Sequence, residues 1–280
     1  MQARVELFSD SICEVAESPF WHNDALWWVD VNPGVLYRCS EAHGIIDTWQ
    51  LGDRTGAVVP VPESPRAFYA AQQGGIHQLL IDGADCSLTL IVDPEPHLPN
   101  NRFNDGKLDS RGRLWAGTMS ISLDPEQGAL YKLEDRKSIT KAVDAVTLSN
   151  GLAWSPDDTA FYYIDTTTRR IDIFDFDAAA GSISNRRCLR RCEEDWGNPD
   201  GMTVDSRGFL WVAFWGGSCV RCISSADGSV QDVIRLPCPN VTSCCFGGAA
   251  GDTLFITTAS KNTDQAAFPD AGKIFSVAKT

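Results

Sequence analysis

The phrase "DSRGxLW" occurs twice, starting at Asp109 and again at Asp205. Aligned on its aromatic residue, it is part of a longer series. Related strands centre on Trp27, Phe68, Trp115, Phe161, Trp211 and Phe255, at intervals of 41, 47, 46, 50 and 44 residues. Six such units in 280 residues give about 47 residues each, the length and strand content of a propeller blade. A short apolar strand and a polar turn precede each landmark, as in "KLDSRGRLW" and "AWSPDDTAF", which predicts hairpins. A third strand follows, as in "GALYKLE" and "RRIDIFDFD", and polar linkers such as "DAAAGSIS" lead toward an outer strand. Period-two alternation dominates and no long amphipathic helix is legible. The chain is therefore expected to be an all-β, six-bladed β-propeller spanning residues 1–280 as a single domain, with a central channel that can hold a metal.

Composition narrows the partners. A formal net charge of -13 opposes nucleic acid and anionic membrane surfaces, whose attraction needs basic patches. The first residues carry no apolar stretch long enough for a signal peptide, and no run of about 18 apolar residues occurs anywhere, so a cytoplasmic protein is expected. Ten cysteines show only one C-x-x-C, Cys219 and Cys222, with no second pair at zinc spacing, and read as reduced core residues.

Counting back 11 residues from the landmark gives Asn104, Asn150 and Asp200, and counting back 10 in the first unit gives Glu17. All four open the first strand of their unit. In a propeller that strand lines the channel, so a shared offset predicts one level around one axis. The remaining units place Ala57 and Cys244 there. Asn-Asp-Gly, Ser-Asn-Gly and Pro-Asp-Gly also form turns readily, and each alone reads as a turn. Four oxygen-bearing side chains at one offset read otherwise, and Glu17 has no turn to serve. Two carboxylates about 5 Å apart in a partly dry channel repel by several kcal/mol at an effective dielectric near 20, so a positive charge is expected between them. Oxygen donors suit one divalent cation, Ca2+ first, then Mg2+ or Mn2+, with Zn2+ or Fe2+ open where geometry favours them. Arg102, two residues before Asn104, reads either as an inter-blade surface arginine or as a donor holding a substrate oxygen. Trp215 reads first as packing and second as a flat wall for a bound ring. No serine-nucleophile elbow, H-E-x-x-H, P-loop or dinucleotide fingerprint is present.

The series "ESPFW", "NNRFNDGKLDSRGRLWAGTM", "SNGLAWSPDDTAFYYIDT", "ISNRR", "PDGMTVDSRGFLWVAFWGG" and "TSCCFGG" resembles, in order and spacing, the regucalcin and gluconolactonase family over nearly the whole chain. The resemblance implies a six-bladed propeller with a divalent metal. It implies metal ligation by Glu17, Asn150 and Asp200, and substrate contact by Arg102 and Asn104. It also implies a carboxylic-ester hydrolase acting on a sugar lactone such as glucono-, xylono-, arabinono- or galactonolactone, with Asp200 as catalytic base. Where vertebrate regucalcin carries acidic residues after G-T-M, this chain reads Ser120-Ile121-Ser122, and the short segment that follows implies a more open lid. An organophosphate or aryl-ester hydrolase on the same site, and a non-enzymatic calcium-binding propeller, are the alternatives. Oligomeric state is not legible.

Overall fold

The computed structural model describes residues 4–40, 44, 46–62, 64–134 and 138–278. Among these residues the strands form six four-stranded antiparallel sheets. The sheets lie within residues 16–50, 55–92, 101–146, 149–191, 198–235 and, for the sixth, 241–278 with 6–9, and are numbered here as blades 1 to 6. The first strands of successive blades contact one another round a closed ring, and blade 6 returns to blade 1. This is the six-bladed propeller that the repeat predicts. The only helical segments among the described residues are two 3-10 turns, Thr166–Thr168 and Glu194–Trp196.

The repeat length carries a closing device that it does not announce. Blade 6 takes three strands from the end of the chain and its outer strand, Glu6–Ser9, from the beginning. That strand pairs with Ile274–Ala278. The seam is fixed further by the Cys13 amide donating to the Gly272 carbonyl at 2.9 Å and the Ser260 hydroxyl donating to the Cys13 carbonyl at 2.8 Å.

Inner strands such as Ala25–Asp30, Leu114–Ser120 and Gly128–Leu133 are buried at every position, because both faces of a blade pack against its two neighbours. Six hydrophobic clusters result, each drawn from two adjacent blades. The landmark aromatics lie in them: Trp27 meets Phe68 at 5.1 Å between ring centroids, and Trp115 meets Phe161 at 5.4 Å. Most cysteines are small members of these clusters, and no disulfide joins any pair among the described residues. Burial pushes thiols such as Cys13 and Cys192 up to about 12.

The duplicated phrase is a hairpin clasp. Asp109 Oδ1 accepts from the amides of Arg111 and Arg113, and Oδ2 accepts Arg113 Nε at 2.7 Å and Trp115 Nε1 at 3.0 Å. Asp205 repeats the pattern with the Arg207 and Phe209 amides, the Arg207 guanidinium and Trp211 Nε1 at 3.4 Å. Gly112 and Gly208 sit at positive φ, which the hairpin tip requires.

Candidate active site

Asn-Asp-Gly, Ser-Asn-Gly and Pro-Asp-Gly are not turns here. Each lies inside the first strand of its blade, Asn101–Leu108, Ser149–Trp154 and Asn198–Val204. Each of these strands slips register next to the glycine motif, at Phe103/Asp105, Asn150/Leu152 and Pro199/Met202. A bulge inserts an extra residue and re-aims side chains, which suits a strand lining a site. The glycine serves inter-blade approach: a Cβ on Gly151 would stand 2.8 Å from the Asp200 carbonyl oxygen. Side chains at Asn150 and Asp200 are thus delivered by strands too close together to carry anything larger than glycine between them.

The structure brings Glu17, Arg102, Asn104, Asn150 and Asp200 onto one cavity of about 560 Å3. That size falls within the range of about 300–1,000 Å3 usual for small-molecule sites. Glu17, Asn150 and Asp200 are buried, and Arg102 and Asn104 are half-buried. Asn150 Nδ2 donates to Thr166 Oγ1 at 2.8 Å, and that hydroxyl donates to the Pro199 carbonyl at 2.8 Å. Asn104 Nδ2 donates to the Ser149 carbonyl at 2.7 Å and to Asn150 Oδ1 at 2.8 Å. Both carboxamides are therefore oriented by their neighbours before any ligand arrives. Arg102 Nη1 donates to the Phe103 carbonyl at 2.9 Å, which braces the guanidinium along its own strand.

Two residues depart from the offset count. In blade 6 the bulge falls at Val241/Ser243, and Cys244 pairs with Ile256, one step deeper than the ring. Its thiol donates to the Trp211 carbonyl at 3.3 Å, and neither it nor Ala57 lines the cavity. The blade 6 hairpin is longer: Phe255 pairs with Cys245, ten residues back, whereas Trp115 pairs with Lys107 and Trp211 with Thr203, eight back, which is why counting misplaced Cys244. Trp215 is half-buried and lines the cavity, so its second reading describes its place better than packing does.

A third carboxylate is present that the count passed over. Asp105 is buried beside Asn104, and its charge reaches both Glu17 and Asp200. Alignment on the glycine rather than the aromatic would have found it, since Asp105-Gly106 then matches Asn150-Gly151 and Asp200-Gly201. Burial and the charges of Asp200 and Asp105 push Glu17 well above the usual carboxylate range. Asp200 is pushed well up by burial and by Asp105, against the opposing pull of Arg102. Asp105 is raised by burial, with Lys107 acting the other way. Lys107 reaches across the channel, its ammonium donating to the Met202 carbonyl at 2.7 Å. Arg102 is lowered to about 10 by burial and is still a cation at neutral pH.

Such a ring has an unmet demand for positive charge. Among the described residues no group of three or more His, Cys, Asp or Glu is disposed to hold a metal, so any ion at this ring must draw on carboxamide oxygens as well. Asn150, buried on the cavity wall with Glu17 and Asp200, carries such an oxygen. The donor chemistry fits a hard divalent cation.

The SMP-30/Gluconolactonase/LRE-like region matches residues 15–260. The chain belongs to this family. Within the family's reach, regucalcin of Danio rerio is 38% identical over 271 residues, covering 94% of this chain and 90% of that protein. A solved luciferin-regenerating enzyme superposes with a TM-score of 0.93 at 33% identity, covering 99% of this chain and 95% of that one. A calcium-binding regucalcin from Agrobacterium tumefaciens superposes with a TM-score of 0.92 at 25% identity, covering 98% and 93%. Family membership of this kind supports hydrolysis of sugar lactones in general. No helix among the described residues is long and apolar enough to cross a membrane.

Proposed function

We propose that the chain hydrolyses a sugar lactone to its aldonic acid in a reaction that depends on one divalent ion, Ca2+ first. The observation that supports this most is the convergence of Glu17, Asp200, Asn150, Asn104 and Arg102 on one cavity. Glu17, Asn150 and Asp200 would hold the ion, which when bound supplies a Lewis-acid pole for the lactone carbonyl. The similar protein described as calcium-binding supports the choice of Ca2+.

The chain's own residues supply the rest. Arg102 donates to the carbonyl side of the substrate, and Asn104, its amide nitrogen already committed to blade 4, offers its oxygen to a neighbouring hydroxyl. Asp200 accepts a proton from the attacking water as the water oxygen bonds to the carbonyl carbon. The carbon to ring-oxygen bond then breaks, and the proton passes to the departing oxygen. Without the ion, burial raises the proton affinity of Asp200; a bound cation would favour its ionised form, the form that accepts the water proton.

The test is acid release from a panel of pentono- and hexonolactones by chelator-stripped protein, with Ca2+, Mg2+, Mn2+, Zn2+ or Fe2+ added back singly. Hydrolysis above the spontaneous rate that returns with an ion supports the reading. Tight ion binding with no lactone turned over would favour the calcium-binding propeller, and turnover confined to aryl or phosphate esters would favour the other hydrolase.

A further inference from the structure

The cavity carries an apolar group on one part of its lining. Met119, Ile121, Leu123 and Leu148 gather at the outer end of the seam of blades 3 and 4, beyond the polar Arg102, Asn104 and Asn150 of the same blades, whereas Glu14, Arg54 and Lys261 line it from the loops beside blades 1, 2 and 6. Met119 and Leu148 form a bridge across that seam. Ile121 is 37% exposed and Leu123 is 50% exposed, which places them among the few large apolar side chains left open to solvent.

Their exposure is built, not incidental. Leu123 lies in the left-handed region at φ +59°, a conformation that disfavours a leucine. The turn is nonetheless locked. Ser120 Oγ donates to Asp124 Oδ2 at 2.7 Å and accepts the Ser122 amide at 3.2 Å. The Ile121 amide donates to the Asn100 carbonyl at 2.8 Å, and the Leu123 amide to the Ser120 carbonyl at 2.9 Å. The two serines of Ser120-Ile121-Ser122 thus leave the cavity to Ile121, and a strained backbone is held so that Leu123 joins it at the mouth.

We propose that the site takes a deoxy-sugar lactone, with ring hydroxyls on the polar part of the lining and an apolar terminal carbon against Ile121 and Leu123, which select it. The inference rests on the lactonase reading given above. A terminal hydroxyl placed against this wall would lose water and gain no partner, whereas a methyl group would cover the exposed isoleucine and leucine.

The experiment compares kcat/KM for matched pairs of hexonolactone and 6-deoxyhexonolactone, of manno and of galacto configuration, in the ion-loaded wild-type protein and in the Ile121→Ser, Leu123→Ser double variant. A preference of about tenfold for the deoxy member is expected in the wild type, below the roughly hundredfold of a closed apolar pocket because Ile121 and Leu123 are part-open to water. In the double variant the ratio should fall toward unity. Taking the ratio within one protein cancels any loss of folded material. Equal rates for both members in the wild type, or a ratio unchanged by the double substitution, would overturn the selection and leave the lactonase standing. No hydrolysis of any of the four lactones with any ion would overturn this inference, and the lactonase reading falls with it when the full panel of pentono- and hexonolactones is also left intact.

Discussion

At the scale of single residues, Glu17 and Asp200 are kept where the fold would rather have them neutral. Both bind a proton more tightly in the folded chain than in an unfolded one, where carboxylates titrate near about 4. The sign follows: their contribution to the stability of the metal-free fold is full below that unfolded value and is lost as pH rises through the raised folded values. Chelated wild-type protein should therefore lose melting temperature as pH rises above about 4, relative to a Glu17→Gln, Asp200→Asn double variant. Calorimetry of both proteins across that range checks this, and parallel curves would contradict it. At neutral pH Asp200→Asn should stabilise the metal-free protein by about 1–3 kcal/mol while lowering lactone turnover by about 10²–10⁴-fold and weakening ion binding. Near wild-type turnover in Asp200→Ala would remove it from the role of base. Asp105 has the same character, so Asp105→Asn should also weaken ion binding, read by isothermal titration, although it carries no assigned ligand role.

Elements act on the site through bulges and glycines. Gly151→Ala would place a methyl group against the Asp200 carbonyl and the Ile164 side chain. A cost of about 1–3 kcal/mol is expected from overpacking, together with weaker ion binding, because the strand that must yield is the one carrying Asp200. Denaturant midpoints and titration of the same variant would separate the two effects. The clasp of the duplicated phrase predicts an asymmetry between its copies. Arg113 is 14% exposed in its ion pair with Asp109, whereas Arg207 is 61% exposed in its pair with Asp205. Asp109→Ala should cost about 2–3 kcal/mol, by stranding a buried indole and a largely buried guanidinium, and Asp205→Ala less. Equal denaturant midpoints for the two variants would show that exposure of the arginine does not govern the clasp.

At the scale of the whole molecule, the ring is closed by the first strand of the chain joining the last sheet. Removing residues 1–9 would bare the edge of Ile274–Ala278, an invitation to pair with another chain. A lower melting temperature and concentration-dependent association are expected, measured by thermal scanning and size-exclusion chromatography. A monomeric product with unchanged melting would show that the remaining seam contacts at Cys13 suffice.

The sequence by itself determined the repeat, the six sheets and the five residues that meet at the channel, because blade period and strand alternation are local properties that aromatic landmarks make countable. It did not determine which chain end completes blade 6, since an outer strand of four residues carries too little pattern to assign to a sheet. Counting failed at Cys244 because the hairpin of blade 6 is two residues longer than that of blade 3, and it overlooked Asp105 because the bulge at Asn104 departs from period two; only the pairing partners across the sheet reveal either. The apolar side of the cavity was equally out of reach. Ile121 and Leu123 adjoin Leu148 and share a cavity with the charged groups only once blades far apart in the chain are brought round one axis, and closure of the ring is a tertiary event.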